Sequence, residues 1–182
     1  MDEETKGRIS KLLSHALRHV PDALAITLDG SGFADVDRVL AGLATKGFTL
    51  DADDLEEIVA TSDKQRFALS PDGLRIRANQ GHSVNVDLGL AALAPPPVLF
   101  HGTVDRFLDA IQSEGLTRRG RTHVHLSLDE DTARNVAGRR RGGIVILRVR
   151  ADEMHATGYA FYRSANGVWL TDHVPPSFLD VT

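Results

Sequence analysis

The chain has 182 residues, 42% of them hydrophobic and 25% charged, with a formal net charge of −4 and no cysteine. That is the composition of an ordinary globule with room for a core, as one domain or two small ones. It excludes disulfides, thiolate metal sites and cysteine nucleophiles. It also offers no bilayer-length apolar run and no basic signal-peptide start, so a reducing cytoplasm is the expected setting.

Ile9, Leu12, Leu13, Ala16, Leu17 and Val20 recur at helical spacing and predict a first helix that Pro21 stops. Arg18 and His19 fall in its last turn, where cations complement the helix dipole. Ile26 to Leu28 predicts a short strand before the turn Asp29-Gly30-Ser31-Gly32. Asp35 and Asp51 are predicted caps of two further helices, the first ended by Gly47. Arg66 to Leu69 and Leu74 to Arg77 flank Ser70-Pro71-Asp72-Gly73 and read as a β-hairpin. Three helices followed by a hairpin is the order of a winged-helix module. Arg75 and Arg77 alternate with Leu74 and Ile76, so both guanidiniums share the solvent face. There they either touch a nucleic-acid backbone or defend an edge strand by charge. The run Arg77 to Ser83 is rich in hydrogen-bonding groups, a composition that suits a loop and also suits a polyanion.

Ala94-Pro95-Pro96-Pro97 reads as a short, stiff spacer. It divides the chain into residues 1–93, a linker 94–97 and residues 98–182. Residues 1–93 carry ten lysines and arginines against fifteen acids; residues 94–182 carry eleven against ten, and all eleven are arginine. Arginine forms forked, planar contacts with phosphate, so this usage either points to anionic ligands or reflects codon bias.

Val98 to Phe100 predicts a strand that delivers His101, Gly102 and Thr103 at its end. A glycine there lets backbone approach a ligand closely. Phe107, Leu108 and Ile111 mark a helix ended by Gly115. His123 and His125 alternate with Val124 and Leu126, which places both imidazoles on one face of a strand with the aliphatics inward. Asp129 caps a helix through Val136, and Gly138-Arg139-Arg140-Arg141-Gly142-Gly143 makes a cationic loop. Ile144 to Val149 predicts a central strand covered on both sides, and Asn166-Gly167 turns a final hairpin. The fold class is therefore α+β, with the second half mostly β.

Five stretches taken together resemble the RNA 2'-phosphotransferases, which remove a 2'-phosphate from RNA using NAD. They are Leu12 to His19, Ile76 to Ser83, Phe100 to Thr103, Arg121 to Ser127 and Arg163 to Thr171, in that order and at that spacing. The resemblance implies a winged-helix N-terminal lobe that binds RNA and an ADP-ribosyltransferase-like C-terminal lobe, with the substrates meeting between them. It implies that Arg18, His19, Arg77 and an arginine after Gly138 form the catalytic group. By the Gly-x-Arg pattern that last residue is Arg140, with Arg139 and Arg141 as alternatives. It also implies that His101, Gly102 and Thr103 hold NAD, joined by His125, Ser127, Ser164 and Asn166. Neither a metal nor a membrane enters this scheme, and a monomer is the expected state.

Protein-modifying ADP-ribosyltransferases usually place a glutamate on the late strand, where this chain reads Asn166-Gly167-Val168-Trp169-Leu170. A 2'-phosphate is already an anionic nucleophile and needs positioning rather than deprotonation. Three rival readings remain: a metal-dependent phosphoesterase using His101, His123 and His125, a non-enzymatic RNA-binding NAD sensor, and an enzyme that leaves ADP-ribose on a terminal phosphate. Chelation, nicotinamide release and product mass, respectively, separate them from the principal reading.

Overall fold

The structure is a computed structural model that describes all residues, Met1–Thr182. The chain forms two compact units, Met1–Gly89 and Leu90–Thr182. No helix is long and apolar enough to cross a membrane.

In the first unit α1 (Glu3–Arg18) starts where the Asp2 side chain accepts from the Thr5 backbone N–H, and it buries Ile9, Leu13, Ala16 and Leu17. Pro21 does more than stop it: a 3-10 turn runs from Pro21 to Leu24 and ends on Ala25 in the left-handed region (φ 52°). Ile26 to Leu28, where a strand is predicted, follow this turn and join no sheet. The strand instead is β1 (Phe33–Asp35), just after Gly32. Asp35 caps α2 (Val36–Thr45) and Asp51 caps α3 (Ala52–Ala60), the latter with a full capping box to Asp54. Helix α2 crosses the 3-10 turn so closely that a β-carbon at Gly42 would stand 2.2 Å from the Leu24 carbonyl oxygen. β2 (Phe67–Leu69) and β3 (Arg75–Ala78) form the hairpin, and the sheet order is β1-β3-β2, all antiparallel. The arginine-bearing strand is thus central, which removes the edge-strand reading of Arg75 and Arg77. The inner face sets Ala34 and Ile76 on the α1–α3 core.

In the second unit β4 (Val98–Val104) and β11 (Leu179–Val181) flank β7 (Ile144–Arg150) in one antiparallel sheet. A second sheet has the order β6-β9-β8, formed by β6 (Val124–Leu126), β8 (Phe161–Arg163) and β9 (Trp169–Thr171). The two meet where Phe100 and Ser127 exchange a pair of 2.8 Å backbone hydrogen bonds. A short pair, β5 (Leu116–Thr117) with β10 (His173–Val174), completes the strands. Helices α4 (Leu108–Glu114), α5 (Glu130–Ala137) and α6 (Ala151–Ala156) connect them, α5 capped by Asp129 as predicted. β7 is central but not covered on both sides throughout, since Ile144 and Arg148 are exposed. The proline run is tied into this unit: the Ala151 and Asp152 N–H groups at the start of α6 donate to the Pro97 carbonyl.

Candidate functional site

In the first unit the end of α1 delivers Arg18 and His19. The segment after β3 returns to meet them, and the Ser83 N–H donates to the Arg18 carbonyl (2.8 Å). The Ser83 hydroxyl lies 2.9 Å from His19 Nδ1. Ser83 therefore fixes both the backbone and the imidazole of the helix end, a role its place in a polar run did not announce.

The two hairpin arginines share one face, as alternation requires, but that face is not bare. The register places Phe33 opposite Arg77, and both guanidiniums lie over the Phe33 ring, at 5.0 Å for Arg75 and 4.7 Å for Arg77. From there their fates diverge. Arg75 pairs with Asp29 at 3.3 Å, so its charge is spent on the fold. Arg77 is half-buried and pairs with no carboxylate; its Nη1 makes only long contacts of 3.5 Å to the Ser31 and Leu88 carbonyls, and its buried Nε–H has no partner. A half-buried guanidinium left without an acid keeps its full charge for an incoming anion.

His82 sits behind this group, wholly buried, with no hydrogen bond to either ring nitrogen. Burial first, and then the charges of Arg18, His19 and Arg77, push its pKa down to about 4. Asn79, six per cent exposed, donates to the Gln65 and Phe67 carbonyls. The run after Arg77 is thus partly interior, contrary to a solvated loop.

In the second unit the two histidine-bearing strand ends meet: His101 Nδ1–H donates to the His125 carbonyl at 3.0 Å. This fixes the tautomer and leaves Nε2 as the acceptor of the ring. Burial holds the His101 pKa below its ordinary value; the hydrogen bond to His125 works against that shift, and the nearby charges of Arg140 and Arg121 add to it. His101 is therefore a neutral acceptor beside two cations. Arg121 Nη1 is 3.2 Å from His125 Nδ1. Desolvation and the charge of Arg140 lower the Arg121 pKa, and neither arginine pairs with a carboxylate. Of the three consecutive arginines, Arg140 is the one that lies over Phe107 (5.5 Å) and whose charge reaches His101.

Gly102 has a packing reason beside the expected one. A β-carbon there would stand 1.8 Å from the Ala133 carbonyl oxygen and 3.1 Å from the Ala137 methyl, so α5 rests directly on β4. Thr103 is buried beside it. Ser127 takes part in the sheet junction through its backbone. Ser164 and Asn166 are engaged in the β8–β9 turn, the Ser164 hydroxyl donating to Asn166 Oδ1 (2.6 Å) and accepting from Val168 N–H (3.1 Å). The structure thus gathers His101, His125, Arg121 and Arg140, and ties Ser164 and Asn166 to a hairpin. His123 turns elsewhere, edge-on to Tyr162 at 5.5 Å and 3.9 Å from Asp172. No group of three or more histidine or acidic side chains is gathered as a metal ion would need. Sequence reasoning passed over Arg121, Phe33, Phe107, Ser83 and His82; for Arg121 the signal was its place two residues before the His-x-His pair.

The family described as RNA 2'-phosphotransferase, Tpt1 / KptA, has a model that matches residues 4–173. Proteins named "Probable RNA 2'-phosphotransferase" are similar to the chain along nearly its whole length. That of Hahella chejuensis is 51% identical over 181 residues, covering 100% of this chain and 96% of its own. That of Rhodopirellula baltica is 53% identical, covering 93% and 92%. That of Pseudomonas aeruginosa strain PAO1 is 50% identical, covering 98% of each. A match of this extent means that the protein belongs to the RNA 2'-phosphotransferase (Tpt1 / KptA) family of enzymes.

Proposed function

We propose that the protein removes an internal 2'-phosphate from RNA in two steps with NAD as co-substrate. The first unit acts as a winged-helix RNA-binding lobe and the second as an ADP-ribosyltransferase-like lobe. The observation that carries the reading is that, of the two hairpin arginines over Phe33, Arg75 is ion-paired whereas the half-buried Arg77 pairs with no carboxylate, and that Arg121 and Arg140 set their charges beside the buried His101. Within the second unit the charges of Arg121 and Arg140 oppose one another unless an anion joins them. The RNA and dinucleotide phosphates supply such anions.

The donor set fits the dinucleotide. A neutral His101 offers Nε2 as acceptor to a ribose hydroxyl, and Arg121 and Arg140 offer forked donors to a pyrophosphate. In the first step an oxygen of the RNA 2'-phosphate attacks C1'' of the nicotinamide ribose, and the bond to nicotinamide breaks. Holding both reactants supplies much of the acceleration. In the second step the ribose 2''-OH attacks phosphorus and the bond to the RNA 2'-oxygen breaks. The products are 2'-OH RNA and ADP-ribose 1'',2''-cyclic phosphate. Charge builds on the phosphoryl oxygens in that step, where Arg18, Arg77 and Arg140 stabilise it. His19, oriented by Ser83, takes the 2''-OH proton and returns one to the departing 2'-oxygen.

A monomer in a cytoplasmic setting belongs to the same reading. Incubation with NAD and an internally 2'-phosphorylated oligonucleotide tests it. Nicotinamide should be released in step with loss of the 2'-phosphate, and with strong chelator present. No turnover beyond the enzyme present, or turnover abolished by chelation, would overturn it.

A further inference from the structure

Among the buried polar groups of the first unit that make no hydrogen bond, two are of complementary kind. One is the Arg77 Nε–H, a donor; the other is the His82 ring, which makes no hydrogen bond through either nitrogen. An orphaned buried polar group costs about 1–3 kcal/mol, so a leucine or phenylalanine at position 82 would serve the core better if packing were the whole requirement. The surroundings hold the ring closely. Gly32, at φ +82°, presents a bare α-carbon, and a β-carbon there would stand 3.3 Å from His82 Nε2 and 3.6 Å from Val86 Cγ1. The next residue, Ser83, is anchored to Arg18 and His19. His82 is thus fixed from both sides, against the cations it faces.

We propose that His82 is the positioning partner of Arg77: when the RNA phosphate draws the terminal N–H groups of Arg77, its Nε–H donates to the His82 ring. That one bond satisfies the Arg77 donor and the ring's lone-pair nitrogen. The Arg77 contacts that must yield are the long ones, 3.5 Å to Ser31 and Leu88. The choice of histidine follows from charge. An aspartate would pair with Arg77 and occupy the place of the phosphate, a lysine would add to the repulsion, and a hydrocarbon would offer no lone pair. A neutral imidazole orients the guanidinium and leaves its charge intact. Burial first keeps it neutral, and the groups facing it add to that: Arg18 and His19 from the end of α1 and Arg77 from β3 all oppose its protonation.

The inference rests on the reading that Arg77 meets the phosphate. The test uses the full chain, an internally 2'-phosphorylated oligonucleotide, and the variants His82→Phe and His82→Gln. His82→Phe should slow decay of the ADP-ribosylated RNA roughly 10- to 100-fold in single turnover with KM for NAD unchanged. His82→Gln, which restores an acceptor, should recover most of that loss. In oligonucleotide binding without NAD, His82→Phe should weaken wild type but add nothing to Arg77→Ala. Equal loss in both backgrounds, or wild-type decay in His82→Phe, would overturn the proposal. If His82→Phe does not fold, exchange of the Arg77 Nε–H in the wild type decides. Oligonucleotide should slow it, and unchanged exchange counts against the bond. Failure of the function itself looks different: wild type would then not turn over at all.

Discussion

Replacing Gly102 by alanine separates two reasons for a glycine in the His-Gly-Thr stretch. The added methyl carbon would lie 1.8 Å from the Ala133 carbonyl oxygen, against about 3.3 Å for a close carbon–oxygen contact. Helix α5 and strand β4 would therefore have to part by roughly 1.5 Å. Both sides of the clash are backbone, so the upper end of the overpacking range applies, about 3 kcal/mol. For a unit of this size that lowers the melting temperature by roughly 10–25 °C. Thermal unfolding followed by circular dichroism reads it, with Gly7→Ala as a control. Gly7 has nothing within 4 Å of its would-be β-carbon in α1, so the control should gain about 0.5–1 kcal/mol. If Gly102→Ala melts within about 2 °C of wild type while losing activity, the glycine serves a ligand and the helix-packing argument is wrong.

The two hairpin arginines should part company in kinetics. Arg77→Ala should cost on the order of 10²–10³ in the second step and accumulate ADP-ribosylated RNA, whereas Arg75→Ala, which loses the Asp29 pair, should leave the chemistry near wild type; equal losses would refute the distinction. His19→Ala should accumulate the same intermediate, and a block before it would show the proton-transfer role to be misplaced. The depressed His82 pKa makes the first unit acid-sensitive. Unfolded, the ring takes a proton near pH 6.5; folded, only near 4, so stability complete above pH 6.5 falls by about 3 kcal/mol on acidification to pH 4. Urea midpoints against pH should show that slope in wild type and lose it in His82→Phe; identical slopes would contradict the burial argument.

Much of the local structure was legible because its causes are local. Asp35, Asp51 and Asp129 cap the helices expected of them, and Asn166-Gly167 turns its hairpin. What escaped depends on residues far apart in the chain. Whether Arg75 or Arg77 keeps its charge available is decided by Phe33 and Asp29, more than forty positions away. His82 packs against Gly32, fifty positions earlier, and Gly102 rests under a helix thirty residues on. Ile26 to Leu28 has the apolar composition of a strand, but the 3-10 turn before it and the left-handed Ala25 send it elsewhere. The five motifs revealed the family without revealing these divisions of labour.

The fate of the phosphate tests the central claim most directly. With the 2'-phosphate isotopically labelled and NAD present, the label should leave the RNA wholly on ADP-ribose, as its cyclic phosphate, one for each nicotinamide released. Label recovered as inorganic phosphate, or nicotinamide released without it, would contradict the account.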